Sequence, residues 1–134
     1  MEFLVVEDDP TSQMLAAGML KALGYAVRLA GDGAEAIEAC RQLPPDAILM
    51  DVQMPRMDGL QTTRELRRLQ GEEVMPWFPI IVASAFYSPT DRAACFDAGV
   101  DGFVTKPLML AKLGAEVYRV VQRTRRMPPR SSTA

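Results

Sequence analysis

Short apolar runs rich in β-branched residues alternate with stretches of helical period five times along this chain of 134 residues. Such alternation is the pattern of βαβ units around a parallel sheet covered by helices on both faces. Strands are expected at 3–6, 26–30, 47–50, 79–83 and 103–105. Helices are expected from just after Pro10 and Thr11 to Leu23, and at 33–43, 58–69, 88–98 and 110–122. Leu15, Met19 and Leu23 form the inward stripe of the first helix, with Gly24 as its C-terminal stop. Ile37 and Cys40 face inward from the second, Leu60, Thr63 and Leu66 from the third, and Leu113, Val117 and Val120 from the last. The run at 47–50 is continuously apolar and reads as a central strand buried on both faces. A chain of this length with 49% hydrophobic residues makes one α/β domain with a real core.

In a parallel α/β sheet, side chains at the carboxyl ends of the strands converge on one edge, where ligands bind. The first strand runs into Glu7-Asp8-Asp9, the third into Asp51, the fourth into Ser84 and the fifth into Thr105-Lys106-Pro107. If the first, third and fourth strands are neighbours, at least three carboxylates share one crevice and need a compensating cation to stay ionised together. Oxygen donors without histidine or cysteine favour magnesium, with manganese as the alternative ion. Glu7, Asp8 and Asp51 contribute three negative charges; a divalent ion and the Lys106 ammonium offset them. A carboxylate is a competent nucleophile toward phosphorus. Asp51 is the candidate because it ends the central strand, and Lys106 and the Ser84 hydroxyl are placed to receive the added phosphoryl oxygens.

The segments Phe-Leu-Val-Val-Glu-Asp-Asp-Pro, Ile-Leu-Met-Asp-Val-Gln-Met-Pro-Arg-Met-Asp-Gly, Ile-Val-Ala-Ser-Ala and Phe-Val-Thr-Lys-Pro-Leu together resemble the receiver domain of two-component response regulators, most of all receivers attached to hybrid sensor histidine kinases. The resemblance spans residues 2 to about 122. It implies a flavodoxin-like (βα)5 fold with strand order 2-1-3-4-5 and phosphorylation of Asp51 from a phosphohistidine, on a histidine kinase or a histidine-phosphotransfer domain. It further implies that Glu7 and Asp8 are the metal-binding acid pair and that Gln53 lends its backbone carbonyl to the metal. Ser84 becomes the switch hydroxyl, Lys106 the phosphoryl-contacting cation, and Phe103 the switch aromatic that turns inward after phosphorylation. Gln53 and Phe86 occupy the positions that tune dephosphorylation, and a bulky Phe86 predicts slow self-hydrolysis. Asp9 falls outside the acid pair and is read as the cap of the first helix. The face made by the fourth helix, fifth strand and fifth helix is the expected contact to a downstream protein or output domain, and a phosphorylation-dependent homodimer stays open. The segment 70–79, with the lone Trp77, is longer than usual and has no assigned role.

Other chemistries fare worse. No histidine is present, which removes histidine-based triads, general bases and self-phosphorylation on histidine. Gly31-Asp32-Gly33-Ala34-Glu35-Ala36 matches G-x-G-x-x-A, yet it follows the second strand and places an acid where a pyrophosphate would sit. A haloacid-dehalogenase-like phosphatase wants an acid two residues beyond its nucleophile, where this chain has Gln53. The chain therefore reads as a switch rather than a turnover enzyme. The alternative is a degenerate receiver that serves as a protein-docking module.

The formal charge of −2 gives no reason to expect direct nucleic-acid binding. Residues 119–134 hold five arginines and no acid, and 123–134 read as a basic tail or linker after a receiver domain of 1–122. Cys40 and Cys95 make no CxxC pair and are expected as buried thiols. No run of 18 apolar residues and no signal peptide occur, so a cytoplasmic location is expected.

Overall fold

The computed structural model describes residues 1–52, 58–85 and 88–126. Ten elements alternate: β1 (Glu2–Val6), α1 (Pro10–Ala22), β2 (Ala26–Ala30), α2 (Gly33–Gln42), β3 (Ala47–Asp51), α3 (Gly59–Gly71), β4 (Ile80–Ser84), α4 (Pro89–Asp97), β5 (Gly102–Thr105) and α5 (Leu110–Arg126). All strands are parallel, in the order β2-β1-β3-β4-β5, which is the flavodoxin-like arrangement expected. β3 is central, and β3 and β4 are buried at every position.

Side-chain alternation along each strand divides the core in two. Leu4, Val6, Ile48, Met50, Ile80 and Val82 pack under α2, α3 and α4, meeting Cys40, Leu66 and Cys95. Phe3, Val5, Leu49 and Ile81 point the other way, against Leu20 of α1 and Leu113, Val117 and Val120 of α5. Burial pushes the Cys40 thiol up to about 12 and the Cys95 thiol upward, so both stay protonated free thiols.

The α1 stripe differs from expectation. Ala16, Ala17 and Leu20 are the buried residues, Met19 and Leu23 are half-buried, and Leu15 is 48% exposed. α1 is apolar around most of its circumference, so spacing alone could not set its rotational phase. Leu60 is likewise half-buried, whereas Thr62, Thr63 and Leu66 are buried. Pro79 has no N–H for the sheet, and β4 starts one residue later than expected and includes Ser84. β5 starts one residue earlier, at Gly102, and α5 continues four residues past the expected end, to Arg126. Residues 127–134 lie outside the described ones.

Caps set the other boundaries. Asp9, Asp32, Asp58 and Ser88 each accept a backbone N–H at a helix start, and Asp58 and Gln61 form a reciprocal capping box. The Asp32 carboxylate accepts from Glu35 N at 2.8 Å. It thus fills the position a dinucleotide pyrophosphate would need at α2, at the end of an edge strand. No described helix is long and apolar enough to cross a membrane.

Candidate functional site

Three adjacent strands deliver their polar ends to one crevice. Glu7 follows β1, Asp51 closes β3 and Ser84 closes β4, and all three are buried. Their backbones are held in place: Glu7 N donates to Ala30 O (3.0 Å), Val52 N to Ala83 O (3.1 Å) and Lys106 N to Ser84 O (2.8 Å). The last bond brings Lys106 in from the edge strand, ahead of a cis bond to Pro107. Its Nζ lies 3.1 Å from Glu7 Oε1 and 3.3 Å from Asp51 Oδ1, bridging two carboxylates.

Asp8 completes the cluster. One carboxylate oxygen from each of Glu7, Asp8 and Asp51 lies within 4.8 Å of the others, with Asp8 exposed and its two partners buried. Burial first, and then the hydrogen bond and charge of Asp51, raise the Glu7 carboxyl to about 7 against the pull of Lys106. Burial disfavours the Lys106 ammonium, yet Glu7 and Asp51 outweigh it and hold its pKa above the ordinary lysine value. Among the described residues, Glu7 Oε2 is buried with no hydrogen-bond partner. Such an acceptor is costly to leave unmet, and a hard cation seated among these oxygens would satisfy it.

The structure brings together Glu7, Asp8, Asp51 and Lys106, with Ser84 on the neighbouring strand end. Asp9 stands apart as the α1 cap, accepting Ser12 N at 2.8 Å. Phe103, expected to turn inward, is already buried in the core on the α2–α4 side. Its N–H donates to Glu116 Oε2 at 2.8 Å, pinning β5 to α5. Gln53 and Phe86 lie outside the described residues.

Two neighbours of the cluster escaped the sequence reading. A Cβ on Gly59 would stand 2.5 Å from Asp51 O and 2.9 Å from Val52 Cα, so α3 approaches the end of β3 more closely than any side chain permits. The Asp58-Gly59 pair after Pro55 was the available signal. Gln13 Nε2 donates to Glu7 O at 2.9 Å, and no motif points to it.

Comparison with known proteins agrees with this geometry. Residues 3–118 match the sequence model of the response regulator receiver domain. Response regulator MprA of Mycobacterium leprae is 39% identical over 125 residues, covering 93% of this chain and 53% of that protein. The chain thus spans about half the length of the curated relatives it matches. Among solved structures, the receiver domain of a sensor histidine kinase from Pseudomonas aeruginosa, with a magnesium ion coordinated in its active site cleft, is 39% identical at a TM-score of 0.73, covering 91% of this chain and 94% of that one. Chemotaxis response regulator CheY4 of Vibrio cholerae is 27% identical at a TM-score of 0.80, covering 89% and 97%. Fold, clustered strand-end acids and sequence agree, and the chain belongs to the response regulator receiver domain family.

Proposed function

We propose that this domain is a magnesium-dependent phosphoacceptor switch in which Asp51 takes a phosphoryl group from a phosphohistidine on a histidine kinase or histidine-phosphotransfer domain. The observation that carries this reading is the Lys106 ammonium bridging Glu7 and Asp51 beside a buried carboxylate oxygen that has no hydrogen-bond partner among the described residues. The magnesium-bearing Pseudomonas receiver supports the choice of ion, with manganese as the alternative.

Glu7, Asp8 and Asp51 would hold the cation, with the backbone carbonyl of Gln53 as a ligand read from sequence. When bound, the ion supplies positive charge to the transferring oxygens. An Asp51 carboxylate oxygen forms the new bond to phosphorus as the phosphorus–nitrogen bond to the donor imidazole breaks, and the imidazole leaves with the nitrogen's electron pair. Lys106, held between Glu7 and Asp51, offsets charge on the transferred group. The Ser84 hydroxyl then turns to the new oxygens. Phe103 responds by repacking inside the core it already occupies, which biases the α4-β5-α5 face toward a partner or output domain. Phe86, in a role read from sequence alone, would slow hydrolysis of the acyl phosphate. The complete set of acids and lysine favours this reading over a degenerate docking module.

Intact mass after incubation with acetyl phosphate tests it. A single phosphoryl adduct is expected, dependent on magnesium and absent in Asp51→Asn. Folded protein that gains no adduct would overturn the proposal.

A further inference from the structure

We infer that Gln13 is a positioning residue for the cation site, its side-chain amide fixing the peptide that carries Asp8. The inference rests on the reading of Glu7, Asp8 and Asp51 as the ligand set. Asp8 is the exposed member of that set, so packing does not hold it. What holds it is the backbone on either side. Before it, Glu7 N is tied to Ala30 O (3.0 Å), and the Glu7 carbonyl accepts from Gln13 Nε2 (2.9 Å). After it, the Asp9 carbonyl accepts from Gln13 N (2.9 Å) and the Asp9 carboxylate from Ser12 N (2.8 Å), with Pro10 opening α1.

The first turn of α1 therefore grips the chain at Glu7 and again at Asp9, one residue to each side of Asp8. Glu7 O belongs to the Glu7–Asp8 peptide, so its hydrogen bond sets the plane of that peptide and the direction in which the Asp8 side chain leaves the backbone. Gln13 suits the task because it sits six residues past Glu7, half-buried, with its own N–H committed to the helix through Asp9 O (2.9 Å). An apolar side chain at that position would leave the Glu7 carbonyl without this donor and the plane of the Glu7–Asp8 peptide less tightly held. Outer groups that orient metal ligands commonly change affinity by about 10- to 100-fold when removed.

The test measures Mn2+ binding through the electron paramagnetic resonance signal of the free ion, with Mg2+ as competitor, well below each variant's unfolding temperature. Gln13→Met keeps the length of the side chain and removes the donor; Gln13→Ala removes both. Both are expected to raise the Mn2+ dissociation constant about tenfold. Leu20→Ala, which loosens the same helix from the core, is expected to lower Tm yet keep the constant within about twofold of wild type. Wild-type affinity in Gln13→Met, or an equal loss in Leu20→Ala, overturns the positioning role. Wild-type protein without saturable, Mg2+-competable binding overturns the ligand set itself, and the inference with it.

Discussion

Arg67 and Asp101, 34 residues apart in sequence, form an ion pair that ties α3 to the entry of β5, and the two side chains are largely shielded from water. Arg67 also donates to Gly99 O (3.0 Å), Phe78 O (2.8 Å) and Gln70 Oε1 (2.7 Å), while its guanidinium lies 5.1 Å over the Trp77 ring. Asp101 Oδ2 in turn accepts from Ile80 N (2.9 Å). All three nitrogens of the guanidinium are thus engaged, and between them they hold the segment before β4 and the turn before β5.

Arg67→Ala should cost about 3 kcal/mol, because it takes the charged partner from Asp101 and the side-chain donor from two backbone carbonyls. Arg67→Lys should recover little of this, since an ammonium cannot reproduce the planar fork. Asp101→Asn keeps an oxygen for Ile80 N and should cost only about 1 kcal/mol. Urea unfolding followed by Trp77 emission and by far-ultraviolet circular dichroism reads all three. A loss below about 1 kcal/mol for Arg67→Ala would show that the hub is dispensable.

Glycines should respond to alanine in opposite directions. No described atom lies within 4 Å of a Cβ at Gly18, an exposed position of α1, so Gly18→Ala should stabilise by about 0.5–1 kcal/mol. Gly59→Ala drives a methyl into the backbone of Asp51 and should cost about 2–3 kcal/mol while slowing phosphoryl uptake. Thermal unfolding of the pair, with uptake from acetyl phosphate, decides the matter.

The charge of Lys106 makes a prediction of its own. Lys106→Met leaves the buried Glu7 and Asp51 carboxylates facing one another and should destabilise the metal-free protein by about 1–2 kcal/mol. With one positive charge gone, the site should attract a divalent ion more strongly, and the loss should shrink as Mg2+ is added. If Mg2+ raises Tm equally in both proteins, Lys106 is not part of the site's charge balance.

Glu116 makes stability depend on pH. Burial pushes its carboxyl up, but the hydrogen bonds from Arg119 and from Phe103 N–H outweigh that and hold it below its ordinary 4.5. A group depressed on folding stabilises above its unfolded pKa, and that contribution is lost as pH falls through the folded value. Glu116→Gln should therefore be about 1 kcal/mol less stable than wild type at pH 7, a gap that closes as pH falls below about 4.5. Paired denaturant titrations from pH 7 to pH 3 check this, and a gap that widens on acidification contradicts it.

Much of the molecule was legible because it is written locally. β1, β3 and β4 each hold an uninterrupted apolar run that leads into a polar residue, so their burial and the identities of Glu7, Asp51 and Ser84 at one sheet edge follow from period and position. Asp9 as a cap and Gly24 as a stop are equally local, since each acts on backbone within one turn. Tertiary structure settled what depends on partners distant in sequence. Packing chose the buried face of α1 that its nearly uniform apolarity left open, and Arg67 reached across to order the segment around Trp77 that no pattern explained. Lys106 meets Glu7 99 residues away only because the sheet sets β5 two strands from β3 and turns its end toward the same crevice. Periodicity records which residues leave water; which of them meet is set by the crossovers and register of the folded sheet.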